Sequence, residues 1–226
     1  MFKSDMSRRN KGYERMKIKL DHIEKVTGYR VKKHFKSIGL DIAERTGLCN
    51  ISTTDKYATL KFNFLEFDNK DINRVYKDMY NSFKVSIFNQ NIAIIEDTHL
   101  QYFGRFAQVD VLKKLTRFGT LALSVCLEKD IAGQFILAVS SRSKLGIKTN
   151  KKAGYLKGES KKAVADWLYN KLGIDLKGDD DASDGVVLAL LGILEDLDFR
   201  SEADIKKEKK ALKEKTKKVK KENEKI

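Results

Sequence analysis

Four acidic residues stand out because each borders an apolar stretch that would deliver it to the end of a structural element. Asp41 follows Ser37-Ile38-Gly39-Leu40, and Glu96 follows Ile92-Ala93-Ile94-Ile95. Asp181 and Asp184 open the run Val186-Val187-Leu188-Ala189-Leu190-Leu191. A spacing of three residues puts the last two on one face of a helix. In an open α/β sheet, ligands gather beyond the strand ends, so these four side chains can meet at one point. Carboxylates packed together repel one another unless a cation neutralises them, and hard oxygen ligands suit Mg²⁺ or Mn²⁺. Two such ions about 3.5–4 Å apart clamp the attacking and leaving oxygens of a phosphodiester in line. Taken singly, each acid has an ordinary explanation. Asp181 belongs to the run Asp179-Asp180-Asp181 and suits a helix N-terminus, with Asp180 as its neighbour and competitor. Asp41 suits the start of a turn. It is the set of four, each beside the expected apolar stretch, that points to chemistry.

The elements that would position these acids follow from hydrophobic periodicity. Residues 13–27 carry Met16, Leu20, Ile23 and Val26 at helical spacing, which predicts a short amphipathic helix. Residues 35–41 read as a buried strand ending in Asp41. A turn over 44–47 leads to a second strand at 47–51, and residues 57–64 form a third. Residues 69–87 place Ile72, Val75, Tyr76, Met79, Phe83 and Ile87 on one helical face. The stretch 91–96 is apolar on both faces, as a parallel strand between helix layers must be. A long helix is expected over 104–129, a strand over Phe135–Val139, and helices over 159–172 and 181–195. The order β-β-β-α-β-α-β-α-α describes an α/β domain: a mixed five-stranded sheet flanked by helices.

Charge is distributed unevenly. The 226 residues carry a formal net charge of +14. Residues 1–36 hold twelve Lys/Arg against four Asp/Glu, and residues 205–226 hold eleven Lys against four Glu, while the middle is close to neutral. The chain therefore divides into a basic N-terminal extension (1–36), a domain (37–198) and a Lys/Glu-rich basic tail (199–226). Cationic ends attract a polyanion with strong salt dependence, or simply keep the chain in solution. The N-terminus has no apolar core of a secretory signal, and no apolar run is long enough to span a membrane. Cys49 and Cys126 lie far apart and lack metal-site spacing, as expected of reduced thiols in a cytoplasmic protein. Proline is absent while Lys, Asn and Ile abound, a coding bias that fits an AT-rich phage or other viral genome.

Three segments, in order, carry a family resemblance. Ile38-Gly39-Leu40-Asp41-Ile42-Ala43-Glu44-Arg45-Thr46-Gly47 resembles the first motif of the RuvC family of Holliday junction resolvases. Ala93-Ile94-Ile95-Glu96 resembles the second, and Asp181-Ala182-Ser183-Asp184 with its apolar helix is similar to the C-terminal one. The resemblance spans about residues 36–195. It implies a ribonuclease-H-like fold, two Mg²⁺ ions (with Mn²⁺ as a substitute) held by Asp41, Glu96, Asp181 and Asp184, and a homodimer acting on four-way DNA junctions. The implied reaction is paired phosphodiester hydrolysis leaving 5′-phosphate ends.

Residues 138–144 lie where the family has a strand leading to a lysine near the site, and residues 157–164 resemble its Gly-then-Lys stretch. Lys144 and Lys161 are thereby candidates to hold phosphates or to stabilise developing charge, or else ordinary exposed lysines. Lys157, Lys162 and Arg105 join them as candidate nucleic-acid contacts. Tyr102 and Phe103 follow the second motif, where the family has an aromatic that stacks on unpaired bases; Phe103 suits the core equally well. His99 near Glu96 suits a phosphate or an ordinary surface role. The apolar stripe of Phe106, Val109, Leu112, Leu115 and Leu123 offers a dimer interface or a cover for the sheet. Two rival functions remain open at this level: a broader debranching nuclease, and a non-catalytic nucleic-acid-binding protein on the same fold.

Overall fold

The computed structural model describes residues 15–43, 45–66, 71–97, 107–149, 151–156, 159–176 and 180–199, the side chains of 107–110, 112, 151, 180 and 181 excepted. Strand β1 (Arg15–Lys19) runs without a break into helix α1 (Leu20–Thr27). Strands β2 (Lys36–Asp41), β3 (Arg45–Thr53) and β4 (Tyr57–Glu66) follow as an antiparallel meander. Then come α2 (Ile72–Ile87), β5 (Ile92–Asp97), α3 (Ala107–Glu128), β6 (Ala132–Leu137), α4 (Ala138–Lys144), α5 (Ser160–Leu172) and α6 (Asp180–Ile193).

The strands form one mixed sheet in the order β1-β4-β3-β2-β5-β6. Strand β5 pairs in parallel with both β2 and β6, which requires crossover helices; α2 and α3 supply them. Alternation sorts side chains between two layers. Ile38, Leu40, Leu48, Ala93 and Ile95 pack with Val75, Met79 and Phe83 of α2 and Phe118, Ala122 and Val125 of α3. Cys49, Ile51, Leu60 and Ile94 face the other way, onto α6 and the helices outside it. Helix α6 is buried from Ala182 to Ile193 because the sheet covers one side and α5 packs on it from outside. A helix apolar all round, with Val186 to Leu191 in sequence, belongs in such a place. On the other face, α2 is amphipathic and capped by Asp71, whose carboxylate accepts from the Asn73 backbone amide at 3.0 Å.

Two expectations need correction. The sheet has six strands, not five, because residues 15–19 form an edge strand rather than the start of a helix. Met16 and Ile18 alternate into the core layer while Arg15, Lys17 and Lys19 stay exposed. Met16 with Leu20 satisfies a helical period and Met16 with Ile18 a strand period, and in so short a window pairing with β4 decides between them. This part of the basic N-terminal segment is built into the sheet, not appended to it. Next, residues 138–144 form a helix, not the strand expected to lead to Lys144; β6 stops at Leu137. Of the two readings of the α3 stripe, cover for the sheet holds at Leu115 and Leu123, which pack against the core between helix and sheet. Phe106 and the side chains of Val109 and Leu112 lie outside the described residues, as do residues 1–14 and the tail from 200. Among the described residues no helix is long and apolar enough to cross a membrane.

Candidate active site

The site begins with strand register. Leu40 of β2 pairs with Ile95 of β5 in parallel, so the next residues along, Asp41 and Glu96, come side by side at the same end of the sheet. Gly39 and Asp41 point to one face, as do Ile94 and Glu96, and that face carries α6. Helix α6 crosses β2 at backbone contact distance. A Cβ on Gly39 would lie 2.2 Å from the Gly185 carbonyl oxygen and 2.4 Å from the Ala189 nitrogen. One on Gly185 would meet the Gly47 backbone at 3.3 Å. Glycine on both sides of the crossing lets the helix lie directly on the strand, and Asp184 is thereby set down beside Asp41.

Three carboxylates therefore converge. Asp41 is buried and donates a hydrogen bond to Glu96. Burial first, then this bond and the charges of Glu96 and Asp184, hold the Asp41 carboxyl far above the usual carboxylate range. Glu96 is also raised, chiefly by burial and by the Asp184 charge, against the pull of its bond from Asp41 and of Arg142 and Lys161. Two carboxyl groups in contact can share a site only with a proton or a cation between them.

Asp184 already has a cation. Arg142 Nη2 donates to both of its oxygens, at 2.9 and 3.0 Å, and side-chain exposure is 12% for the arginine and 8% for the aspartate. The Arg142 Nε is buried with no hydrogen-bond partner among the described residues. Arg142 lies in α4, the helix that replaces the expected strand, and it takes the place near the site that position alone gave to Lys144. Lys144 instead donates to the Asp198 backbone carbonyl. The sequence signal for Arg142 was slight: an arginine two residues from the lysine that was singled out.

Of the remaining candidates, Lys161 bears electrostatically on both Asp41 and Glu96 from the first turn of α5, and Lys162 beside it is exposed. Asp181 is helical and one turn before Asp184, with its side chain outside the described residues. Tyr102, Phe103, Arg105, Lys157 and His99 also lie outside them.

Whether these residues fit divalent ions is a question of donor chemistry. The donors are all carboxylate oxygens, the hard ligands that Mg²⁺ and Mn²⁺ take. Burial and mutual repulsion raise the Asp41 and Glu96 carboxyls, and such ions relieve that repulsion. Among the described residues no three ligating side chains are yet gathered as a closed cluster, in keeping with Asp184 being held by Arg142. The set fits, with one ligand engaged elsewhere.

The sequence matches no family model and no curated protein. The fold does have close counterparts. It is similar to RuvC of T. thermophilus in complex with a Holliday junction substrate, with a TM-score of 0.52 at 12% identity over 70% of this chain and 91% of that one. A second structure, of Thermus thermophilus RuvC, gives a TM-score of 0.51 at 13% identity over 69% and 92%. The chain thus has a RuvC-like α/β fold.

Proposed function

We propose that this protein is a metal-dependent nuclease that cuts branched DNA, with four-way junctions as its principal substrate. The observation that carries the reading is the hydrogen-bonded pair Asp41–Glu96, with Asp184 beside it, at one sheet end of a RuvC-like fold. Fold by itself does not choose a substrate; the carboxylates supply the chemistry, and the junction bound by the T. thermophilus protein is what that neighbour acts on.

Asp41, Glu96, Asp184 and Asp181 are the residues that would hold two divalent ions. Such ions, when bound, activate a water and neutralise charge at the leaving oxygen. The chain's own groups do the rest. Asp41 gives up its shared proton when the pair becomes a ligand set. Arg142, once released from Asp184, offers a guanidinium whose buried Nε still lacks an acceptor, and two oxygens of one phosphate can accept from its Nε and Nη2 in parallel. Lys161 adds positive charge on the open side. Cutting a four-way junction symmetrically calls for two sites related by a two-fold axis, hence a homodimer, working in the cytoplasm.

The Arg142–Asp184 pair favours one rival: a chain that uses an arginine where a nuclease uses an ion, and that binds nucleic acid without cutting it. One experiment separates the two. A labelled synthetic four-way junction is incubated with the protein in Mg²⁺, in Mn²⁺ and in chelator, beside an Asp41→Asn variant and beside flap, linear duplex and RNA–DNA hybrid substrates. Paired nicks that need the metal and Asp41, and that leave 5′-phosphates, are expected on the junction. Cleavage equal in chelator, or retained by Asp41→Asn, refutes the catalytic assignment. Equal cutting of flaps and junctions moves the protein to a general debranching role. Binding without any cleavage selects the rival.

A further inference from the structure

The sheet carries a second charged surface, on the face opposite the carboxylates. Helices α2 and α3 pack beneath β2, β5 and β6, and on that side β1 and β4 keep exposed positions. Register fixes what shares this face. Lys17 pairs with Thr59, Thr59 with Ser52, and Ser52 with Lys36, one row across β1, β4, β3 and β2. The next row is Arg15, Lys61 and Asn50, and Lys19 pairs with Tyr57 at the near end. Arg15, Lys17, Lys19, Lys36 and Lys61 are all exposed. No residue of β1, β3 or β4 on this face is acidic, and among the described residues no carboxylate pairs with any of these five cations.

The geometry points to a docking surface for the phosphate backbone of a DNA duplex. Arg15, Lys17 and Lys19 stand about 6.8 Å apart along the edge strand, from a rise of about 3.4 Å per residue. Lys36 stands three strands away, about 14 Å across at about 4.8 Å per step. Between them lie the uncharged polar residues Thr59, Ser52 and Asn50, and one further cation, Lys61. A line of three cations with Lys36 about that far from it is commensurate with the phosphate rails that border a major groove about 12 Å wide. A single strand would call for stacking aromatics, and Tyr57, 41% exposed, is the one aromatic on these rows. The inference extends the DNA-directed reading above: one arm would lie on this surface while the carboxylate end of the sheet engages its own target.

The test is binding without chemistry, so that it stands whether or not the protein cuts DNA. Anisotropy of a labelled linear duplex is titrated in chelator at several salt concentrations. The wild type is compared with Lys17→Gln/Lys36→Gln/Lys61→Gln, and with a control that neutralises three exposed lysines elsewhere, Lys25→Gln/Lys77→Gln/Lys148→Gln. Circular dichroism confirms that both triple variants are folded. Each phosphate contact contributes about 0.9 to the slope of log K against log salt, so the first variant should lose about 2.7 from that slope. The control should keep the wild-type slope. An unchanged slope in the first variant, or equal losses in both, overturns the proposal. So does a loss that appears with anionic vesicles or duplex RNA and is absent with duplex DNA.

Discussion

Replacing Arg142 tests the electrostatics of the site directly. Its guanidinium is the cation bonded to Asp184, and both side chains are nearly buried, at 12% and 8% exposure. Removing one partner of a buried pair leaves the other charged and uncompensated, at a cost of about 3–5 kcal/mol. Lys161 lies close enough to act on the neighbouring carboxylates, which places Arg142→Met near the lower figure, about 3 kcal/mol. For a domain of this size about 2–4 °C of melting temperature accompanies each kcal/mol, so the fall should be about 6–12 °C. Arg142→Met keeps much of the volume, so packing loss is small; Arg142→Lys restores the charge and should recover part of the fall. Differential scanning fluorimetry in chelator reads all three proteins. Mn²⁺ is then titrated in. If a divalent ion takes over the role of the guanidinium, the methionine variant gains more from it than the wild type does. At a hundred times the dissociation constant the gain is about 2.7 kcal/mol, enough to close most of the gap. A variant that melts within about 2 °C of wild type in chelator refutes the claim that Arg142 compensates buried charge. An equal response of both proteins to Mn²⁺ refutes the claim that arginine and metal compete for Asp184.

Four further outcomes are expected. In the metal-free protein, stability should fall as pH rises between the ordinary carboxylate value of 3.8 and about 10, because folded Asp41 keeps a proton that the unfolded chain has released; denaturant titrations across this range should find the slope much reduced in Asp41→Asn. Gly39→Ala drives a methyl into the α6 backbone, 2.2 Å from the Gly185 oxygen, and should cost about 3 kcal/mol and displace Asp184. Gly28→Ala, with nothing within 4 Å and φ of 75°, should cost only about 1 kcal/mol by chemical denaturation. Cys49 and Cys126 are buried, with both thiols pushed well above their usual range by burial, so a chromogenic disulfide reagent should titrate them only as the protein unfolds.

The parts of the site legible in the sequence are those where one local pattern fixes both position and direction. Asp41 and Glu96 end strands whose apolar residues alternate or run on, so their place at the sheet end follows from the chain itself. The order of β2, β5 and α6 follows in the same way. Arg142 was not legible, because its role depends on where β6 ends and on the turn of α4 that aims it at a residue 42 positions away. A seven-residue segment containing Val139, Ser140 and Ser141 has no strong preference for strand or helix; packing against α6 decides. Strand β1 was hidden for a related reason. Met16 fits a helical period with Leu20 and a strand period with Ile18, and only the ladder with β4 distinguishes them.

Fold and chemistry are joined here by close approach rather than by any long-range device. Helix α6 reaches β2 because Gly39 has no side chain to hold them apart, Gly185 lets it close on the Gly47 backbone of β3, and Gly192 clears Ser37, whose oxygen lies 2.0 Å from where a Cβ would sit. The same crossing buries the apolar body of α6 and sets Asp184 against Asp41. Burial that stabilises the helix is therefore also what raises the Asp41 carboxyl and forces a proton, an arginine or an ion into the site. Any substitution that loosens the crossing should ease the charge conflict and weaken the claim on a cation together. A Gly39→Ala protein that stays folded yet still binds Mn²⁺ as tightly as wild type would show that the carboxylates meet without the helix pressed against the strand.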